Sequence, residues 1–389
     1  MSVVDLAAAG VETAGFTGPA GTERFLVVSP DPGLGFVDQL AQIGTRYRAA
    51  LGVLGLPPET AVFRRLFVSD VQNQIAQVEA GDWAGNTAEG PVALSIVEQP
   101  PAGGAKAVLL AYHLAGPAGL IKHRLSRRHL MVSKGAVRHL WSSRLCVGHS
   151  ASGLSPAEQT RAVFSELATA LASEGAGLAD HCLRTWIYVK DLDANYGAVV
   201  EGRSIVFSDA GLHARSHYIA STGIEGACPH LSDTVTLDAY SVLDLAPGQV
   251  THLNALDHLC LTRDYGVTFE RATRVAWSDR AHILVSGTAS IDRFGQVVHP
   301  GDVLAQLDRA LSNVEALLAA GGARLTDLTY LIVYLRDASD FPAVRRRLSR
   351  LLGDLPMVIV RARVCRPAWL IEVEGLAIAP YADPTLPDF

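Results

Sequence analysis

Lysine is scarce in this sequence of 389 residues. Only Lys106, Lys122, Lys134 and Lys190 are lysines among the 33 basic side chains, which leaves 29 arginines. Arginine's planar fork suits carboxylates, although a GC-rich coding bias gives the same imbalance and accounts for most of it. Long hydrophobic runs are absent. The longest, such as Ala107 to Tyr112, are strand-sized and far short of the roughly 18 residues a membrane helix needs. The opening residues lack a basic stretch followed by an apolar core, so no secretory signal is read there. Cysteine is limited to Cys146, Cys182, Cys228, Cys260 and Cys365. They are odd in number, widely spaced and without a C-x-x-C pair, which indicates neither a disulfide framework nor a zinc site. A reducing cytoplasm is the expected setting. Basic excess is absent as well. A net charge of −6 and a pI near 6.1 argue against nucleic acid or an anionic membrane as the main partner.

What is present describes a well-cored protein: 49% hydrophobic residues, 35 glycines and a mean hydropathy of +0.22. The length suggests two or three folded units, and an internal repeat supplies three. Near the C-terminus a stretch opens with Gln306 and closes with Asp337. Within it Leu307, Leu311, Val314 and Leu318 recur at helical spacing, Gly321-Gly322 stop the helix, and residues 331–335 form a buried strand. Gln159 to Asp191 repeats this pattern in the middle of the chain, and Gln39 to Asp70 repeats it near the start. Each copy is followed by two apolar runs separated by Pro- or Gly-rich residues, read as a hairpin or a short split crossover. Strands alternating with helices predict α/β units. The expected boundaries give 1–125, 126–247 and 248–389.

The third copy resembles the YjgF/Rid family of small trimeric α/β proteins. The resemblance rests on Ser286-Gly287 after an apolar strand, Gln306, Asn313, the Tyr-Leu-Arg-Asp strand end at Asp337, and Ile371-Glu-Val-Glu374. It implies three tandem units forming an internal pseudo-trimer, with ligand sites between neighbours. The chain is then a monomer of that kind or a low-order homo-oligomer.

A narrower resemblance, from about Arg184 to Glu374, is to the chorismatase family. It rests on Arg184-Thr-Trp-Ile-Tyr188, Gly202-Arg203, Tyr265-Gly266, the segment Phe269-Glu-Arg271-Ala272, Ser286-Gly-Thr-Ala-Ser-Ile291, His299-Pro-Gly-Asp302, and Cys365-Arg366 ahead of Leu370-Ile-Glu372. The chain departs from that family at Val267-Thr268 and at residues 292–296. The resemblance implies a cofactor-independent hydrolase or lyase acting on a small carboxylated cyclic or enol-type metabolite, in secondary metabolism, with its pocket between the second and third units.

The resemblance assigns the acid to Glu372. In a period-2 strand Glu372 and Glu374 share a face, where desolvation and like charge raise a carboxyl pKa. A solvated edge is the simpler reading for Glu374. Arg203, Arg271 and Arg366 match the family's arginines, and Arg144 is a further candidate for holding a carboxylate. Cys365 occupies the position of a cysteine found in members that make 3-hydroxybenzoate. It is read either as a nucleophile or as a small buried residue. Tyr265 and Phe269 could wall a ring-shaped substrate, and Thr288 and Ser290 could hold a carboxylate or water. No metal site or cofactor is expected, since P-loop, G-x-G-x-x-G and H-E-x-x-H signatures are absent. Two further readings are a Rid-type imine or enamine deaminase and a metabolite-binding protein without turnover. The first unit is read as structural.

Overall fold

The computed structural model describes residues 6–83, 85, 90–116 and 119–389. It is an α/β protein with three mixed sheets of one repeated topology. In the first, β1 (Val11–Gly18) and β2 (Gly21–Val28) form a hairpin that leads into α1 (Phe36–Leu54) and β3 (Ala61–Val68). Helix α2 (Val71–Ala80) crosses to β4 (Ala93–Glu98), parallel to β3, and β5 (Ala107–Ala115) returns between β2 and β3.

The second sheet begins with an edge strand, β6 (Ile121–Arg124), beside the hairpin β7 (His129–Lys134) and β8 (Val137–Leu145). Helix α3 (Pro156–Ser173) and the one-turn α4 (Leu178–His181) lead to β9 (Cys182–Val189). Helix α5 (Leu192–Asp209) is the crossover to β10 (Ala220–Glu225), and β11 (Val235–Val242) returns. The third repeats the plan with β12 (Val250–Leu253) at the edge, β13 (Ala272–Ala276), β14 (Arg280–Ala289), α6 (Val303–Ala320), β15 (Leu328–Leu335), α7 (Phe341–Leu352), β16 (Met357–Arg361) and β17 (Ile371–Pro380). The two strands closing each unit are not a hairpin. β4 and β5 lie on opposite sides of β3, because a parallel pair such as β3–β4 needs a helical crossover.

The repeated glutamine has a physical reason. Gln39, Gln159 and Gln306 are fully buried at the starts of α1, α3 and α6. Each amide oxygen accepts the N–H of the residue just before the returning strand: Lys106 at 2.7 Å, Thr234 at 2.7 Å and Leu370 at 2.8 Å. Each amide nitrogen donates to a loop carbonyl ahead of its helix, from Leu34, Leu154 or His299. Losing one such partner would strand a buried polar group at about 1–3 kcal/mol.

The helices cover one face of each sheet, and the opposite faces share a core. Phe25 meets Tyr330 with ring centroids 5.2 Å apart, and Phe63 stacks on Trp141 at 4.8 Å. The units join head to tail. The N–H groups of Glu98, Glu225 and Arg361, at equal positions closing β4, β10 and β16, donate to Ala227, Arg363 and Pro100 of the next unit. Each junction also buries an ion pair: Arg65–Asp238 at 3.2 Å, Arg184–Glu374 at 2.7 Å and Arg280–Glu23 at 2.8 Å. No described helix is long and apolar enough to cross a membrane.

Candidate active site

A cavity of about 400 Å³ opens between the second and third units. Helix α5 contributes Tyr196, Val200 and Arg203, spaced by four and three residues and therefore on one helix face. The loop between β12 and β13 supplies Tyr265, Phe269 and Arg271. Cys365, Arg366 and Trp369 come from the segment before β17, and Glu372 comes from β17 itself. The floor is the joint between β10 and β14, where Gly287 N donates to Thr222 Oγ1 at 2.8 Å and Ser221 N donates to Ser286 Oγ at 2.9 Å. A Cβ on Gly287 would lie 2.1 Å from Glu372 Oε1, so the bare backbone there is what leaves room for the carboxyl.

Burial pushes the Glu372 carboxyl up to about 8, with the charge of Glu374 adding to the effect and Arg184 and Arg271 opposing it. It is therefore protonated at neutral pH and shares its cavity with three guanidinium groups. Among the described residues, none of Arg203, Arg271 and Arg366 forms an ion pair. Arg203 is 1% exposed and donates through Nε to Thr268, while its Nη2 has no partner among the described residues. Arg271 donates through Nε and Nη2 to the Cys260 carbonyl. The Tyr265 ring lies beneath both Arg271, at 5.2 Å, and Arg366, at 4.8 Å. Phe269 adds a second ring below Arg271. These aromatics orient the cations as well as walling the cavity.

Other expected residues take different places. The Cys365 thiol lines the cavity, but burial and the nearby Glu372 push it up to about 12, so it stands as a neutral S–H and not a nucleophilic thiolate. Thr288 and Ser290 are buried away from the cavity, and their hydroxyls donate to the Ser286 and Val298 carbonyls, as turn hydroxyls do. Arg144 belongs to a different cleft, where it sits 3.6 Å from Glu79. Glu374 is not on a solvated edge. It is 1% exposed and accepts from Arg184 and Trp186 Nε1, both at 2.7 Å, and from Thr222. The sequence reasoning missed Tyr196, which stands two α5 turns before Arg203, and placed Trp369 only beside the two carboxylates, whereas it lines the cavity and its Nε1 donates to the Ser290 carbonyl. The four-residue and three-residue spacing from Tyr196 to Arg203 was the available signal for the first.

Residues 272–379 match the family described as Endoribonuclease L-PSP. The 3-aminoacrylate deaminase RutC of Acinetobacter baylyi is 30% identical over 97 residues, which cover 24% of this chain and 77% of that protein. The chain belongs to the YjgF/Rid family. It is also similar to the 3-hydroxybenzoate synthase of Streptomyces hygroscopicus, 34% identical over 124 residues that cover 28% of this chain. The match spans only 36% of that enzyme's length. A chorismatase crystal structure superposes with a TM-score of 0.63 at 20% identity, covering 82% of this chain and 93% of that one, which shows a shared fold.

The repeated Rid topology lets the three junctions be compared strand by strand. Phe67, Tyr188 and Tyr334 pair with Val108, Thr236 and Glu372. A carboxyl therefore stands at this strand position only in the third unit.

Proposed function

We propose that this Rid-family protein is a chorismatase-like hydrolase that cleaves the enol ether of a small cyclic dicarboxylate and releases pyruvate, with a role in secondary metabolite biosynthesis. The observation that carries the reading is the pairing, in one cavity, of a protonated buried Glu372 with the unpartnered Nη2 of buried Arg203. A buried guanidinium without a counter-ion favours an anionic ligand strongly. Arg271 and Arg366, fixed on Tyr265, supply charge for a second carboxylate.

The chemistry follows from those groups. Glu372 gives its proton to the terminal methylene of the enolpyruvyl group, converting it to a methyl and leaving an oxocarbenium at the ether carbon. Water adds to that carbon and loses a proton, which restores Glu372. The resulting hemiketal breaks its bond to the ring oxygen, giving pyruvate and a ring alcohol. One water is consumed, and neither oxidant nor reductant is needed. The cation is stabilised by lone-pair donation from the ether oxygen, and the arginines act by orienting the ligand through its carboxylates.

Likeness to RutC favours a second reading, hydrolysis of an imine or enamine. The Rid-family resemblance places a carboxylate-holding arginine early in the penultimate strand, whereas the arginine of β16 is Arg361, at the end of that strand and paired with Glu225 at 3.0 Å, which weakens that reading. Incubation with chorismate and a coupled pyruvate assay tests the proposal. Pyruvate release that disappears in Glu372→Gln supports it. Ammonia release from 3-aminoacrylate without pyruvate release from chorismate supports the second reading, and saturable binding without product overturns both.

A further inference from the structure

The cleft between the first and second units is the counterpart of the candidate active site, and it carries different chemistry. Its volume is about 330 Å³, and it is lined by α2, by Arg144 at the end of β8 and Cys146 just past it, and by Cys228 and His230 from the loop before β11. Thr236 replaces the acid here and contacts the Cys228 thiol. The cleft therefore has no carboxyl at the position Glu372 holds in its neighbour.

Instead it gathers sulfur. Cys146 Sγ, Cys228 Sγ and a carboxylate oxygen of Asp233 all lie within 4.8 Å of one another, and all three residues are buried. Cys228 Sγ is 3.6 Å from Asp233 Oδ2. A tetrahedral zinc with bonds of about 2.3 Å to sulfur and about 2.0–2.2 Å to oxygen places its ligand atoms roughly 3.5–3.8 Å apart. Small side-chain rotations would bring the group to that spacing. We propose that Cys146, Cys228 and Asp233 form a zinc site at the junction of the first and second units, with its fourth position open to the cleft for water.

The surroundings suit a bound cation with this donor set. Two thiolates and a carboxylate carry three negative charges, so a zinc complex keeps a net charge of −1. The Arg128 guanidinium offsets it, with Nη2 donating to Cys146 Sγ at 3.3 Å. The Gly148 N–H donates to both Asp233 oxygens at 3.0 Å and fixes the plane of the carboxylate. The ligands also hold a segment that joins two units. Ala227 and Cys228, just ahead of Asp233, accept hydrogen bonds at their carbonyls from Glu98 N and Gln72 Nε2 of the first unit. A metal there would brace the junction. The expectation of no zinc site rested on chain spacing, and the 82 positions from Cys146 to Cys228 are closed only by the fold.

Binding follows the balance in which two thiols release two protons to solvent as zinc takes both sulfurs, so affinity falls steeply with decreasing pH. The test uses the full chain, reduced and stripped by chelator, and titrated with Co²⁺ under absorbance and with Zn²⁺ by calorimetry. The expected result is one ion per chain, a sulfur-to-cobalt charge-transfer band bleached by Zn²⁺, and at least tenfold weaker binding in Cys228→Ser and in Asp233→Asn. Cys182→Ser, a buried cysteine outside the group, keeps full binding. Absence of the band, uptake unchanged in the Cys146→Ser/Cys228→Ser double variant, or a Cys146–Cys228 disulfide whose reduction restores no metal binding overturns the proposal. Far-ultraviolet circular dichroism on each variant separates lost binding from lost folding. Because the readout is metal uptake, it stands apart from any test of chorismate turnover.

Discussion

Glu372 and Glu374 stand two residues apart on one face of β17, yet only Glu374 is saturated with donors. Arg184, Trp186 and Thr222 all bond to Glu374, whereas no donor among the described residues reaches Glu372. The charge of the paired carboxylate presses its neighbour toward the neutral form, which gives one anchor and one acid.

The first prediction is a pH slope. Burial raises Glu372 from the ordinary 4.5 to about 8, so between those values the folded chain holds a proton that the unfolded chain has released. Stability then falls as pH rises through this window, by about 1.4 kcal/mol per unit for this group. Turnover falls above about pH 8 as the acid is lost. Glu372→Gln abolishes pyruvate release, a loss of at least about 10²-fold, and flattens the slope. Urea titrations of both proteins at pH 5.5 and 7.5 check it, and equal slopes would mean that the carboxyl is already ionised.

Gly287→Ala should damage catalysis without replacing any reacting group. The new methyl would meet Glu372 Oε1 at 2.1 Å and Thr222 Cγ2 at 3.0 Å, so the acid has to swing out of place. Overpacking of this kind costs about 1–3 kcal/mol of stability, and an ångström of misplacement costs on the order of 10²-fold in kcat. Wild-type kcat in a folded Gly287→Ala protein would show that the carboxyl does not act from this position.

Much of this arrangement was legible in the chain. The three Gln-to-Asp repeats became three copies of one topology because each glutamine has one structural task, tying its helix to a returning strand. Arg203, Arg271, Arg366 and Glu372 were matched as a group, and they share one cavity. Arg144, Thr288 and Ser290 were misplaced, since residue type says nothing about which of three similar clefts a strand end faces or whether a turn carbonyl takes a hydroxyl first. Glu374 was misread because its partners, Arg184 and Trp186, belong to another unit 188–190 positions away. Arginine excess pointed loosely to carboxylate binding, but it could not reveal that Arg65, Arg184 and Arg280 are buried struts between units.

Arg203→Met should separate binding from stability. An unpaired buried guanidinium is costly to fold around, and burial already pushes it toward deprotonation. Replacing it with an apolar side chain of similar length is expected to stabilise the ligand-free protein by about 1 kcal/mol or more while raising KM at least tenfold. Thermal melts and steady-state kinetics on the same preparation decide the matter. Lower stability together with an unchanged KM would make Arg203 a structural residue.

Glu374→Gln should affect both carboxyls. It leaves Arg184 buried without its counter-charge, and breaking such a pair costs about 3–5 kcal/mol. It also removes the like charge that helps raise Glu372 and leaves the opposing Arg184 charge uncompensated. The Glu372 carboxyl therefore moves down, and the alkaline limb of the activity profile shifts to lower pH in a protein that is less stable but folded. A pH–rate profile of Glu374→Gln measured below its melting temperature reads this directly. Were the limb unmoved, the two glutamates would not be coupled through the sheet face they share, and the raised pKa of Glu372 would have to come from burial alone.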